Sequence, residues 1–304
     1  ASGDFASTCW GLGINNKISI DEKIFFPHSL GIFYEAFTQF MGFENFGDEY
    51  KVMGLAAYGK PTEKKLVNKI LSLKANGKFE LNLKYFLHHK RSIAHNWDDG
   101  IPKTKTLFSD KVFSIFENAN FSQRDDVRSE KITEFQKNLA CSVQSVYEDA
   151  IFNILDHLST KYKNTNLTLS GGCAQNSSAN GKILQNSNFK NLFIPSNPGD
   201  GGGALGAAYY VNYYLNNQKI LKQTSGYLGT SFNSFQIDET IKKYLNVLNE
   251  QGCEINYYDN FNQLCDLVAK EIANKKVVGW FQDKMEWGPR ALGNRSILCD
   301  PRNP

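Results

Sequence analysis

Four short stretches of this chain carry residue types whose spacing could do chemistry. The first is Leu169-Ser170-Gly171-Gly172-Cys173-Ala174-Gln175-Asn176, in which an apolar run meets two adjacent glycines. Backbone without side chains lets an anion approach free N–H groups, which is what a phosphate needs. A ligand-free tight turn is the commoner explanation of one such pair. The second is Gly199-Asp200-Gly201-Gly202-Gly203-Ala204-Leu205-Gly206, a carboxylate set among glycines. Asp200 could cap a helix, worth about 1 kcal/mol. Capping does not call for glycine on both sides, however. The flanks Gly199 and Gly201 suit close approach of a phosphate or a cation, with Asp200 as an oxygen ligand. The third, from Glu286 to Ser296, holds Arg290 and Arg295 among Gly and Pro turns. Their planar forks match phosphate or carboxylate, and pairing with surface acids is the equally good plain reading. The fourth, Asp48-Glu49-Tyr50-Lys51-Val52-Met53-Gly54-Leu55-Ala56-Ala57-Tyr58-Gly59, combines acids and a lysine with small residues. Close packing of Gly and Ala explains it as well as function does. The histidines form no H-x-x-x-H face: His28, His95 and His157 read as surface or structural, and His88 and His89 are simply adjacent.

These stretches need elements to hold them. A helix is expected from about Leu30 to Met41, and a short amphipathic one between Pro61 and Leu73. Residues 74–130 are polar and irregular and read as an insertion lying over the surface. A long helix comes next, because Phe135, Leu139, Val143, Val146, Tyr147, Ala150, Ile151, Ile154, Leu155 and Leu158 fall at three- and four-residue steps. Buried strands at 167–169 and 192–194 run into the two glycine segments, and an apolar helix covers 204–215. Asn, Gln, Ser, Thr and Gly dominate residues 216–236, which marks a boundary. Beyond it come helix 237–248, strand 255–258, helix 261–273, strand 277–281 and the strand-like 296–298. The last unit reads as truncated. Two strand–glycine–helix turns in succession fit a split nucleotide cleft better than either fits alone, with the loops at Ser170 and Gly199 facing one cavity.

Composition narrows the classes. The chain has 304 residues, 41% hydrophobic and 21% charged, with a net charge of +3. That is ordinary for a soluble globular protein, and the charge is too small to indicate a nucleic-acid partner. No apolar run reaches the ~18 residues of a membrane span. The six cysteines lie far apart without a C-x-x-C pair, and the start has no signal-like character. Reduced thiols and a cytoplasmic location are expected.

Taken together and in this order, residues 51–59, 169–180, 197–208 and 286–302 resemble the NodU/CmcH-type O-carbamoyltransferases of nodulation-factor, antibiotic and other secondary-metabolite biosynthesis. The resemblance covers nearly the whole chain and is weakest at 74–130. It implies an α/β protein with a sugar-kinase/actin-like (ASKHA) lobe at 1–215, incomplete at its N-terminus. A linker at 216–236 and the beginning of a threonylcarbamoyl-adenylate-synthase-like (YrdC-type) lobe at 237–304 would come after it. It also implies chemistry: carbamoyl-adenylate is made from carbamoyl phosphate and ATP with release of pyrophosphate and of the phosphate of carbamoyl phosphate, and the carbamoyl group passes to a hydroxyl of a sugar or secondary metabolite near a divalent metal, typically Fe2+. Carried over by residue, Gly171, Gly172 and Asn176 match the nucleotide loop, and Gly199 and Gly201 are cofactor-binding candidates from their own glycine pattern. Asp200 matches a metal-ligand aspartate, and Arg290 the arginine that holds the adenylate, with Arg295 a weaker candidate for the same site.

Three family features have no counterpart here. The H-x-x-x-H metal pair and another metal-ligand aspartate would fall before Ala1, and most of the second lobe after Arg302. The 304 residues alone are therefore expected to be inactive. The rivals are an ASKHA-type ATP phosphotransferase, which the same glycine turns suit, and a non-catalytic nucleotide-binding module. The acceptor and the oligomeric state have no readable code.

Overall fold

The computed structural model describes residues 5–15, 17–90, 95–116, 132–216 and 225–302. It divides into two compact units, Ala1–Ile194 and Pro195–Pro304. The architecture is mixed α/β with small sheets: among the described residues, every sheet is a pair of strands.

Unit 1 opens with a hairpin, β1 (Ala6–Ile14) against β2 (Lys17–Phe25). Ile18, Ile20, Glu22 and Ile24 share one face of β2, on which Ile24 is buried while Ile18 and Ile20 stand exposed. Helix α1 (Leu30–Phe40) begins where the Ser29 hydroxyl accepts the Ile32 N–H, 3.3 Å. Its Phe33, Phe37 and Phe40 enter the core. Helix α2 (Glu49–Leu55) continues into a 3-10 turn at Ala56–Tyr58. Helix α3 is only Lys64–Val67. The helix expected as far as Leu73 gives way to a second hairpin, β3 (Leu71–Leu73) with β4 (Phe79–Leu81). Asn76 and Gly77 both have positive φ, 59° and 71°, between those strands. An Asn-Gly pair favours that turn, and it overrides the helical spacing before it.

The surface insertion expected at 74–130 is corrected by the described part. Phe79, Leu81, Tyr85, Phe86, Leu107, Phe108, Val112 and Phe116 all lie in the hydrophobic core. Averaged polarity hid apolar residues spaced so that each turn delivers one inward. A third hairpin, β5 (His95–Asp98) with β6 (Ile101–Thr104), interrupts them, and residues 117–131 lie outside the described residues.

Helix α4 (Glu134–Tyr162) is the long helix expected. Thr133 and Gln136 close its start as a reciprocal capping box, and Lys163 ends it at φ 50°. Leu139, Ala140, Val143, Val146, Tyr147 and Ala150 are 2% exposed or less, which makes its stripe the spine of the unit. Each large buried side chain contributes about 1.5–3 kcal/mol. The 52–59 segment packs on α4: Val52, Leu55 and Ala56 are buried, and a Cβ on Gly59 would fall on the Lys137 carbonyl. The small residues of the fourth stretch thus have a packing reason. Strands β7 (Asn166–Thr168) and β8 (Asn191–Phe193) pair in parallel, joined through the one-turn helices α5 (Ser177–Asn180) and α6 (Ile183–Asn186).

Unit 2 holds α7 (Gly202–Asn216), α8 (Ser234–Glu250), α9 (Phe261–Ala273) and the hairpin β9 (Val278–Phe281) with β10 (Arg295–Leu298). Asn233 and Asn260 cap α8 and α9. None of the three helices has a buried residue among those described. Residues 255–258, expected as a strand, are irregular, for no described strand lies beside them to complete a ladder.

Candidate functional site

The chain leaves β7 at Leu169, whose N–H still donates to the Phe193 carbonyl, 3.0 Å, and enters Ser170-Gly171-Gly172. Gly171 has φ 98°, a conformation that side chains resist, and nothing lies within 4 Å of a Cβ built there or on Gly172. The turn is therefore glycine by backbone need, with open space beside it. In place of the expected helix, it leads into a 3-10 turn at Gly172–Gln175 and the four-residue α5. So short a helix brings little dipole to an anion, and any hold must come from individual N–H groups.

A polar network inside unit 1 fixes this turn. The Gln144 Oε1 accepts from the Tyr34 hydroxyl at 2.7 Å and from Asn176 Nδ2 at 2.9 Å. Its Nε2 donates to Asn176 Oδ1 at 3.0 Å and to Glu148 at 2.9 Å. Asn176 Oδ1 also caps α5 by accepting the Ala179 N–H, 2.9 Å. Lys182 closes the network on both Glu148 oxygens, 2.7 Å each. One helix turn away, the Tyr147 hydroxyl donates to the Cys173 carbonyl, 2.8 Å. Burial pushes the Tyr34 and Tyr147 phenols well above their ordinary value, so both remain protonated donors. The Asn176 amide, carried over as a nucleotide contact, is thus committed to shaping the loop. Ser177 meets Met53 Sδ at 3.5 Å, which joins the fourth stretch to the first.

In unit 2 the second glycine run closes on itself. Gly202 N–H donates to the Gly199 carbonyl at 3.0 Å and Gly203 N–H to the Asp200 carbonyl at 3.1 Å. A Cβ on Gly201 or Gly202 would collide with Asn197, so close internal packing accounts for those two glycines. Asp200 itself is exposed. Among the described residues no group of three or more His, Cys, Asp or Glu could hold a metal. One exposed carboxylate does not make a metal centre, so the residues described do not fit the expected Fe2+ by themselves.

The arginine-bearing loop joins β9 to β10. Glu286 organises it: one carboxylate oxygen accepts the N–H groups of Leu292 at 2.8 Å, Asn294 at 2.8 Å and Arg295 at 3.2 Å. Desolvation pushes this carboxyl up, and those amides together outweigh it and bring it down to about 2. Arg295 is spent on its own loop. Its Nη1 donates to the carbonyls of Gln282 at 2.6 Å and Asn294 at 2.7 Å, and its Nη2 to that of Asp283 at 3.1 Å. The guanidinium sits 3.2 Å from the centroid of the Phe281 ring. Arg290 lies half-buried between Gly288 and Gly293.

This loop touches the turn that leads into the second glycine run, at Ser196 and Asn197. Gly288, at φ 135°, lies so close to the Ser196 carbonyl that a Cβ would overlap it. The Trp287 N–H donates to Gly226 at 2.7 Å, the Gly229 N–H to Met285 at 2.9 Å, and the Tyr227 hydroxyl to Leu292 at 2.8 Å. Residues 226–230, read from sequence as linker, are thus the brace of the loop. The four stretches meet in pairs, the first with the fourth in unit 1 and the second with the third in unit 2.

That pairing is of the segments that carried the resemblance, and comparison with known proteins gives the family. The carbamoyltransferase N-terminus family model matches residues 1–209, and the carbamoyltransferase C-terminus model residues 269–304. The chain belongs to the carbamoyltransferase family. It is 37% identical over 303 residues to an uncharacterized protein of Synechocystis sp., covering 99% of this chain and 46% of that one. It is 32% identical over 302 residues to the nodulation protein NolNO of Sinorhizobium fredii, covering 99% and 39%. A shorter match, 28% over 136 residues, is to the 3'-hydroxymethylcephem-O-carbamoyltransferase of Streptomyces clavuligerus, covering 45% and 23%. The chain spans about half or less of the length of these relatives. No helix among the described residues is long and apolar enough to cross a membrane. All six cysteines are free.

Sequence reasoning missed Glu286 and Gln144, the two side chains that organise the loops. Glu286 stood at the head of the third stretch without a role, and nothing in its spacing tells an internal anchor from a surface acid. Gln144 sat on the buried stripe of α4, where a polar residue among apolar neighbours was the available signal.

Proposed function

We propose that this chain forms part of an O-carbamoyltransferase that uses ATP and carbamoyl phosphate, through carbamoyl-adenylate, to carbamoylate a hydroxyl of a sugar or secondary metabolite. The observation that supports it is the contact of Gly288 with the Ser196 carbonyl, which sets the Arg290 loop beside the second glycine run. A guanidinium carried on this loop suits a phosphate monoanion or diester, and neutralising that charge makes AMP a better leaving group than free in water. In unit 1 the open side of Gly171 and Gly172 suits a second phosphate contact through backbone N–H groups. A hydroxyl acceptor is favoured by the relative named as an O-carbamoyltransferase of a 3'-hydroxymethylcephem. Asp200 remains the candidate ligand for the divalent cation of the resemblance, and the other ligands would come from outside the described residues.

Product analysis tests the reading. Incubated with ATP and carbamoyl phosphate, the full-length protein is expected to release pyrophosphate from ATP and, with uptake of water, phosphate from carbamoyl phosphate in equal amounts, AMP following as the adenylate passes its carbamoyl group to a hydroxyl or to water. ADP as the nucleotide product would replace this reading with that of a sugar-kinase-like phosphotransferase.

A further inference from the structure

The loop between β9 and β10 is closed by one side chain. The Glu286 carboxylate, near its start, gathers the amides of Leu292, Asn294 and Arg295 at its end. Residues 287–291 are drawn into a ring with Arg290 on it. Three N–H groups converging on one oxygen form an anion cradle, and here the anion is the protein's own. The rest of the frame is backbone and one side-chain amide: Trp287 is tied to Gly226, Asn294 Nδ2 to the Lys284 carbonyl at 2.7 Å, and Gly288 to Ser196 by contact. Arg295 supplies one of those amides, and its guanidinium is held on three carbonyls of the same loop. Remove the charge at 286 and three amides lose their anionic acceptor together, so the ring loosens at the place where Arg290 is carried.

We propose that Glu286 is a positioning residue, whose carboxylate fixes the 287–295 backbone so that Arg290 meets the phosphate of ATP or of the adenylate formed from it. This rests on Arg290 being a phosphate ligand, as the proposed function has it. Glu286 touches no substrate. It acts through the arginine.

The test is a double-mutant cycle in the full-length protein, with ATP affinity measured by calorimetry for the wild type, Glu286→Gln, Arg290→Ala and the double variant. Glutamine keeps the size and loses the charge. Glu286→Gln is expected to weaken ATP binding at least tenfold, Arg290→Ala by a similar factor, and the double variant by less than twofold beyond Arg290→Ala. Amide hydrogen exchange across 287–295 should quicken at least tenfold in Glu286→Gln and stay as in the wild type in Arg290→Ala. Factors that multiply in the double variant would overturn the proposal, and so would unchanged ATP affinity in Glu286→Gln with quickened exchange, the signature of a purely structural role. Melting curves identify a variant that fails to fold, and Glu286→Asp then replaces it in the cycle, with a smaller loss expected and the same non-additivity required. Failure of the carbamoyl reading is separate: it appears as wild-type protein that makes no AMP from ATP and carbamoyl phosphate, whatever the cycle gives.

Discussion

At the residue scale, side chains that looked able to touch a ligand divide into those that face outward and those spent on the protein. Asn176 belongs to the second group, with both ends of its amide bonded to Gln144 and its oxygen also capping α5. Asn176→Ala should cost about 1–2 kcal/mol through the lost cap. A melting curve would show the drop, and an unchanged midpoint would argue against the network. His88 gives a pH prediction. It is 4% exposed, its Nε2 lies 2.8 Å from the Pro27 carbonyl, and burial holds its pKa below the ordinary 6.5. The unfolded chain therefore takes up a proton first as pH falls through about 6.5. Stability from this group is full above that value and declines as pH drops toward the folded pKa. Denaturant midpoints between pH 7 and 5 should fall in the wild type, and less steeply in His88→Gln.

At the element scale, the long periodic segments were legible and the short non-local ones were not. α4 and α9 declare themselves by spacing and by the caps that precede them, all local information. The Phe79–Phe116 core segments depend on partners distant in sequence, and their polar surroundings concealed them; the β1–β2 hairpin is local, Ile14 pairing with Lys17, but lacks a clean apolar alternation. The glycine turns were legible as turns, but not that Gly201 and Gly202 make room for Asn197 or that 226–230 brace the arginine loop. Gly288 carries the sharpest prediction here. Alanine there meets both a φ of 135° and the Ser196 carbonyl, so unit 2 should lose about 1–3 kcal/mol. Gly206→Ala, within α7 with open space around it, should instead gain up to about 1 kcal/mol. Thermal melts of the two variants would separate a loop junction from a general intolerance of side chains.

At the scale of the whole molecule, each unit pairs a glycine turn with a second ordered stretch, in a chain that belongs to the carbamoyltransferase family. Under the proposed function, unit 2 bears the activating half of that chemistry, because it holds the arginine loop. The most direct measurement is isotope exchange between labelled pyrophosphate and ATP in the full-length protein without any acceptor. Reversible formation of an adenylate predicts label entering ATP when carbamoyl phosphate is supplied, and little when it is omitted or when Arg290 is alanine. Exchange that ignores carbamoyl phosphate, or no exchange alongside active carbamoyl transfer, would contradict it.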